Sequence, residues 1–136
     1  CASRRGQRYR TPVSTQTQPN NGAPPCAGPD FDPRQPSLVM PDGACDCHAH
    51  VIGPSTRYPL SADRVYTPVD CLPEDYEHMR SRTGLQRAVL VQPSIYGTDN
   101  RLLLDTLARY PQALRGVAVG HGGWNRTAEG ATAVDH

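Results

Sequence analysis

Two histidines one residue apart, His48 and His50, stand in residues 45–51 and are followed at once by the breaker pair Gly53 and Pro54. Because side chains alternate faces along a strand, both imidazoles are predicted to point the same way, about 7 Å apart along the chain. Two imidazoles on one strand face can share a metal ion or polarise one substrate oxygen. The alternative is a pair of solvated histidines on an edge strand, and the bare spacing favours neither interpretation.

Two cysteines, Cys45 and Cys47, precede the histidines. On a regular strand their sulfurs face away from the imidazoles, which argues against a structural zinc site built from all four side chains. We expect instead two small buried thiols that pack under a helix. A small metal-binding or redox module that uses Cys45, Cys47, His48 and His50 stays open as an alternative.

Composition divides the chain into three parts. Residues 1–43 are rich in Pro, Gly, Gln, Asn and Thr without helix or strand period, so we predict a disordered or irregular segment. Residues 44–119 are the foldable part, and they approach the lower size limit for a domain with its own core. Residues 120–136 are predicted to be a disordered or non-homologous tail.

Net charge argues against binding to nucleic acid or to a membrane, and cysteine usage argues against a disulfide framework. The formal net charge of +1 gives no general attraction to nucleic acid or to an anionic membrane. The sequence shows neither a secretory apolar region nor an apolar run of membrane-spanning length. The number of cysteines, 5, is odd. We therefore expect a reducing, cytoplasmic setting rather than a disulfide framework.

Strands and helices alternate after the histidines. The near-continuous apolar run over residues 87–93 is typical of a parallel strand buried on both faces, and residues 114–119 are a second strand candidate. Residues 73–83 are predicted to be a helix, with a proline and acidic residues at its start and Gly84 after its end. Tyr76 and Met79 would form its inner stripe.

A second helix is indicated by apolar residues at helical spacing, with a cap at Thr98 or Asp99 and an end at Pro111. The apolar positions are Leu103, Leu104, Leu107 and Tyr110. The order strand, helix, strand, helix, strand implies right-handed crossovers and a parallel sheet. Chemistry is then expected at the carboxyl ends of the strands, where the two histidines lie.

Three motifs in order carry a resemblance to a known family. They are Asp46-Cys47-His48-Ala49-His50-Val51-Ile52-Gly53-Pro54, Arg64-Val65-Tyr66-Thr67-Pro68 and Val91-Gln92-Pro93-Ser94-Ile95-Tyr96-Gly97-Thr98-Asp99-Asn100. Residues 24–119 resemble the N-terminal portion of amidohydrolase-related TIM-barrel hydrolases, closest to the subgroup that contains 2-pyrone-4,6-dicarboxylate lactonase. The resemblance implies an α/β fold, the N-terminal part of a (β/α)8 barrel with about three strands and two helices.

The resemblance implies a hydrolase of aromatic catabolism whose substrate is a small carboxylated lactone. His48 and His50 would be its catalytic pair: in most of the superfamily they ligate a divalent metal such as zinc, whereas the lactonase subgroup needs no metal and polarises the substrate carbonyl with them. Tyr66 would donate to a carbonyl or carboxylate of the substrate, and Ser94 would hold a carboxylate. From the residues alone, Tyr66 is equally a loop anchor and Ser94 equally a helix-side cap.

The family pattern also requires a later histidine, arginines that clamp carboxylates and a general-base aspartate on the last strand, all beyond residue 136. Both ends of the chain depart from the pattern, so we expect a fragment or truncated gene product that is inactive alone. The alternatives are a metal-dependent decarboxylase or amidohydrolase of the same superfamily and the Cys/His module. A non-enzymatic interaction fragment has only the Pro-rich first segment in its favour.

Overall fold

The computed structural model describes residues 22–120 as three parallel strands and two α-helices in alternation. The sheet order β1-β2-β3 follows the chain, and both strand pairs are parallel. The elements are β1 (Cys45–Ala49), α1 (Pro73–Thr83), β2 (Arg87–Val91), a short 3-10 helix (Ser94–Tyr96), α2 (Arg101–Arg109) and β3 (Leu114–Val117). The predicted order of elements and the parallel sheet are confirmed.

Helix α1 has the predicted bounds because both of its ends are set by local residues. At its start, the carboxylate of Asp75 accepts a hydrogen bond from the backbone N–H of Leu72 at 2.8 Å. At its end, Gly84 adopts the left-handed conformation, and its N–H donates to the carbonyl of Arg80 at 2.9 Å. Tyr76 is buried on the inner face, as predicted.

The N-cap of helix α2 is Asn100, one residue after Asp99 and two residues after Thr98, the two predicted caps. Asp99 lies just before the N-cap; its carboxylate pairs with the guanidinium of Arg101 at 2.6 Å and accepts from the backbone N–H of the same residue at 3.3 Å. The helix buries Leu102 and Leu103 and leaves Leu104 48% exposed. Leu104 was predicted to face the core, so that part of the inner stripe is wrong.

Strand β1 is not regular. It advances three residues, from Asp46 to Ala49, while β2 advances two, from Ala88 to Leu90, and the register shifts in this interval. One extra residue is therefore accommodated as a β-bulge. Ala88 and Leu90 lie on the buried face of the sheet, so Asp46 and Ala49 share that face although regular alternation would separate them.

The prediction that Cys45 and Cys47 are buried thiols is wrong. Cys45 pairs with Arg87, on the face opposite to Ala88, and both Cys45 and Cys47 are exposed rather than buried under a helix. Alternation turns the sulfurs away from the imidazoles only on a regular strand. Since β1 contains an extra residue, parity no longer applies across it.

The core lies between the sheet and the helices, and its members come from every element and from the loop after β1. Leu90 and Ile95 are fully buried at its centre. Gly116 of β3 lies against α2, where a Cβ would come within 2.6 Å of Leu107. Within residues 22–120, no helix is both long and apolar enough to cross a membrane.

The domain division stays a prediction. Of the first predicted segment the structure describes residues 22–43, where Pro25 forms an isolated bridge with Thr67. Residues 1–21 and 121–136, which include nearly all of the predicted tail, lie outside the described part.

Candidate active site

The two histidines meet where β1 ends. His48 is the fourth residue of β1 and His50 follows its last residue, and their ring centroids are 5.0 Å apart with an edge-on interplanar angle of 88°. Both side chains are exposed. The prediction that the imidazoles point the same way agrees with this ring contact, although the strand between them is not regular.

The ring of His50 is held by the neighbouring strand. Its Nδ1 lies 2.8 Å from the carbonyl oxygen of Val91, the last residue of β2. A carbonyl can only accept, so Nδ1 carries the proton and donates it to Val91. In the neutral ring, Nε2 is then an unprotonated nitrogen with a free lone pair, and it becomes a donor only in the imidazolium form.

The backbone of His48 is held by a carboxylate two residues earlier. Its N–H donates to Oδ1 of Asp46 at 3.1 Å. The other oxygen of Asp46, Oδ2, accepts the hydroxyl hydrogen of Tyr76 on α1 at 2.9 Å. Neither Asp46 nor Tyr76 was predicted to take part in the site, because nothing in the local spacing indicates a contact between residues 30 positions apart.

A turn after the histidines is fixed by Gly53. Its φ is +83°, and its buried N–H donates to the hydroxyl oxygen of Tyr96 at 2.8 Å. Burial raises the pKa of Tyr96 to about 12. Desolvation also raises the pKa of Asp70, which lies against Gly53. These contacts join the loop after β1 to the loop after β2.

Two side-chain amides brace the loop after β2, and the second of them also joins this loop to the segment after β3. Gln92 is buried, and its Nε2 donates to the carbonyl of Asp99 at 2.9 Å. The side chain of Asn100 both donates to the carbonyl of Val119, at 2.7 Å, and accepts from its N–H, at 3.1 Å. Both amides lie in the third motif of the sequence, but their partners are fixed only by the fold.

The two predicted substrate contacts take different positions. Ser94 is exposed at the start of the 3-10 helix, three residues after the Val91 carbonyl that holds His50, so it lies at the same end of the sheet. Tyr66 is partly buried and packs against the core. Its neighbour Thr67 is tied to the first segment, donating from its N–H to Pro24 at 2.8 Å. Tyr66 thus lies against the core, next to a residue that ties its loop to the first segment.

The histidine pair provides part of a metal site. The Nε2 lone pair of His50, with Nδ1 bound to a backbone carbonyl, is the usual arrangement of a metal-ligating histidine. A zinc site in a protein generally has at least three protein ligands. Within residues 22–120, no group of three or more His, Cys, Asp or Glu side chains is placed to hold a metal ion. Among the described residues, the histidine pair can therefore supply two ligands to a divalent ion, and no third ligand is grouped with them.

Comparison with known proteins assigns the family. Residues 45–129 match the family model described as Amidohydrolase. The chain is 39% identical over 100 residues to the 4-sulfomuconolactone hydrolase of Rhizobium radiobacter, covering 74% of this chain and 33% of that protein. It is 37% identical over 87 residues to the 2-pyrone-4,6-dicarboxylate hydrolase of Comamonas testosteroni, covering 64% of this chain and 28% of that protein.

Solved structures give the same result. The chain resembles the crystal structure, with citric acid bound, of a probable 2-pyrone-4,6-dicarboxylic acid hydrolase from Acinetobacter baumannii, with a TM-score of 0.54 and 31% identity. That match covers 58% of this chain and 29% of the other. The chain belongs to the amidohydrolase family. It spans about a third of the length of the curated relatives it matches.

Proposed function

We propose that this chain is the N-terminal part of a (β/α)8-barrel hydrolase that opens a small carboxylated lactone of the 2-pyrone-4,6-dicarboxylate type in aromatic catabolism. The family supports this assignment, as do the lactone hydrolases to which the chain is similar. The three parallel strands with intervening helices are consistent with the start of such a barrel. A cytoplasmic location stays a prediction from cysteine usage.

The observation that carries the proposal is the oriented pair of imidazoles at the carboxyl end of β1. His50 is fixed through Nδ1, which leaves Nε2 as the nitrogen that can meet a ligand. His48 lies in edge contact with it, at 5.0 Å between ring centroids. Two imidazoles placed in this way can act together on one substrate oxygen. Hydrolysis of a lactone requires such polarisation of its carbonyl oxygen.

In the mechanism, the two rings polarise the lactone carbonyl. Attack by water converts the carbonyl to a tetrahedral oxyanion, and preorganised donors near that oxygen lower the barrier. Because Nδ1 of His50 is bound to Val91, His50 can donate to the oxyanion through Nε2 only as an imidazolium. The general-base aspartate that the resemblance implies takes one proton from the attacking water. The tetrahedral intermediate then collapses with cleavage of the ring C–O bond, and this proton passes to the expelled ring oxygen, so that the lactone opens to a carboxylate and a hydroxyl group.

The alternative is the metal-dependent form of the same chemistry, a decarboxylase or amidohydrolase. There His48 and His50 would be two of the ligands of a divalent ion, such as zinc, through nitrogen lone pairs. When bound, such an ion supplies Lewis-acid polarisation of the substrate carbonyl. A separate Cys/His metal module gains no support from the described residues, since no three potential ligands are grouped in them.

The substrate carboxylates are proposed to contact Ser94 and Tyr66. The exposed hydroxyl of Ser94 lies at the same end of the sheet as the histidines and can donate to a carboxylate oxygen. Tyr66 would have to reach the substrate from a partly buried position against the core. The structure therefore gives Ser94 the stronger support of the two.

A chimera tests the proposal. Residues 45–119 of this chain would replace the matching segment of the Rhizobium radiobacter 4-sulfomuconolactone hydrolase, and opening of 2-pyrone-4,6-dicarboxylate and of 4-sulfomuconolactone would be followed by absorbance. We expect the chimera to open at least one of the two lactones. In the chimera, His48→Gln or His50→Gln should lower kcat by about 100-fold or more, the contribution of a proton-transferring or polarising side chain.

The matched control is His78→Gln, because His78 is an exposed histidine on α1, where it faces Asp32 at 3.6 Å rather than the pair. It should leave turnover unchanged. A chimera that folds by circular dichroism yet opens neither lactone contradicts the proposal, and so does full activity in the His48 or His50 variant. Activity that is lost on dialysis against a chelator and restored by zinc would establish the metal-dependent alternative.

A further inference from the structure

We propose that Asp46 and Tyr76 are a positioning pair: together they hold the bulge of β1 and thereby set the placement of His48 and His50. The catalytic importance of that placement rests on the proposed function. The placement itself is a property of the fold and can be measured without any turnover.

The carboxylate of Asp46 divides its two oxygens between a helix and its own strand. Oδ2 accepts from the Tyr76 hydroxyl at 2.9 Å, and Oδ1 accepts from the His48 N–H at 3.1 Å. Asp46 thus connects the backbone of the first histidine to helix α1. Hydrogen bonds to an ionised acceptor are about twice as strong as those between neutral groups.

The bulge creates the need for this acceptor. The extra residue of a bulge interrupts the ladder, so a backbone N–H there loses its partner on the next strand. His48 lies inside the irregular interval between Asp46 and Ala49. The side chain of Asp46 supplies an acceptor for its N–H.

The position of the bulge decides where the imidazoles point. Slipping a strand by one residue turns every later side chain to the other face of the sheet. If the extra residue were lost or moved along β1, the side chains of His48 and His50 would change face relative to β2. The contact that fixes the bulge therefore also fixes the histidine pair.

Tyr76 is suited to anchor the carboxylate. It is only 6% exposed, and burial together with the Asp46 carboxylate raises its pKa above the ordinary value, so the hydroxyl stays a donor. Its side chain also lines, with His50 and Met79, a cavity of about 140 Å³ beside the pair. Helix α1 thus reaches Asp46 through a hydrogen bond and shares a cavity wall with His50.

The test uses the 136-residue chain labelled with 15N, compared with its Tyr76→Phe variant. Removing the hydroxyl frees the Asp46 carboxylate from α1 and loosens its contact with His48. We expect hydrogen exchange of the His48 amide to speed up by about tenfold or more, as the loss of a charge-assisted hydrogen bond predicts. The nuclear Overhauser contact between the His48 and His50 rings should weaken with it.

Tyr58→Phe is the matched control. Tyr58 is also 6% exposed, and its hydroxyl also donates to a carboxylate, that of Asp105, at 2.6 Å. Its loss should destabilise the fold to a similar extent but leave the ring contact and the relative exchange rate of His48 unchanged. A Tyr76→Phe variant that matches Tyr58→Phe in both readouts overturns the proposal.

Two substitutions of the carboxylate separate positioning from general stability. Asp46→Asn keeps an acceptor for the His48 N–H, and should retain the ring contact better than Asp46→Ala, which keeps none. Equal effects of the two would overturn the positioning role.

In the chimera, Tyr76→Phe should lower kcat by about tenfold, and Tyr58→Phe should not. Because the NMR readouts need no turnover, failure of the hydrolase proposal and failure of this one appear in different measurements.

Discussion

At the scale of single residues, Gly53 shows why the breaker pair must follow the histidines so closely. With φ at +83° it lies in the left-handed region, and a Cβ added there would stand 2.3 Å from Oδ1 and 2.5 Å from Cγ of Asp70. The same residue donates its buried N–H to Tyr96. Both the close approach and the backbone angle require glycine at this position.

We predict that Gly53→Ala lowers the free energy of unfolding by more than about 2 kcal/mol, since steric overlap adds to the cost of the left-handed angle. Gly84→Ala is the matched control, because Gly84 has a φ of +79° but its nearest neighbour, Met40, lies at an ordinary 3.6 Å. It should cost about 1 kcal/mol. Urea unfolding measures both values.

The double variant Gly53→Ala, Asp70→Ala checks the cause. Removing the Asp70 side chain takes away the overlapping atoms, so the added cost should fall toward that of Gly84→Ala. Equal destabilisation by Gly53→Ala with and without Asp70 would contradict the steric explanation.

At the scale of elements, the sequence predicted those features that depend on residues close together in the chain. Helix α1 has its proline, acidic first turn and terminal glycine within one segment, and both bounds were correct. The bulge of β1 arises from pairing with β2, more than 40 residues away, and alternation within β1 does not reveal it. The exposure of Cys45 and Cys47 was also missed, because which face of the sheet is covered depends on packing between elements.

Helix α2 shows a second limit of sequence patterns. Three consecutive leucines, residues 102–104, allow the inner stripe to start at any of them, and periodicity alone placed Leu104 inside. The structure buries Leu102 and Leu103, and Leu103 packs with Leu107 close to Gly116 of β3. Packing between elements decides this choice.

The two neighbouring leucines give a direct prediction. Leu103→Ala should lower the free energy of unfolding by about 2–5 kcal/mol, because Leu103 is 3% exposed and its loss opens a cavity beside β3. Leu104→Ala, at 48% exposure, should cost about 0.5 kcal/mol or less. Chemical denaturation of the two variants under one condition measures the difference. Similar costs would show that the helix presents another face to the sheet.

At the scale of the whole molecule, the sequence located the histidines of the candidate site but not the residues that hold them. His48 and His50 follow from spacing and strand position. The carbonyl of Val91, the carboxylate of Asp46 and the hydroxyl of Tyr76 are brought to them by the sheet and by α1. These contacts join separate parts of the chain, so they exist only once the elements have packed together.

The same packing buries ionisable groups across the molecule. Tyr58, Tyr76 and Tyr96 are buried in different elements and loops, and burial is the largest cause of the raised pKa of each. Burial also raises the pKa of the Cys71 thiol to about 11. The sequence has 14 arginines and no lysine, so tyrosines and cysteines dominate its titration between about pH 9 and pH 12.

Alkaline pH should therefore destabilise the fold through these groups. A tyrosine whose pKa is higher in the folded state keeps its proton after the unfolded chain has lost it, so the unfolded state binds fewer protons and stability falls as pH rises. For Tyr96 the window runs from its ordinary value of 10.0 to about 12. Between pH 9 and pH 11.5, Tyr96 alone should lower the free energy of unfolding by about 2 kcal/mol. Urea unfolding across this range should show a smaller decline in Tyr96→Phe, and a stability independent of pH would contradict the burial of these side chains.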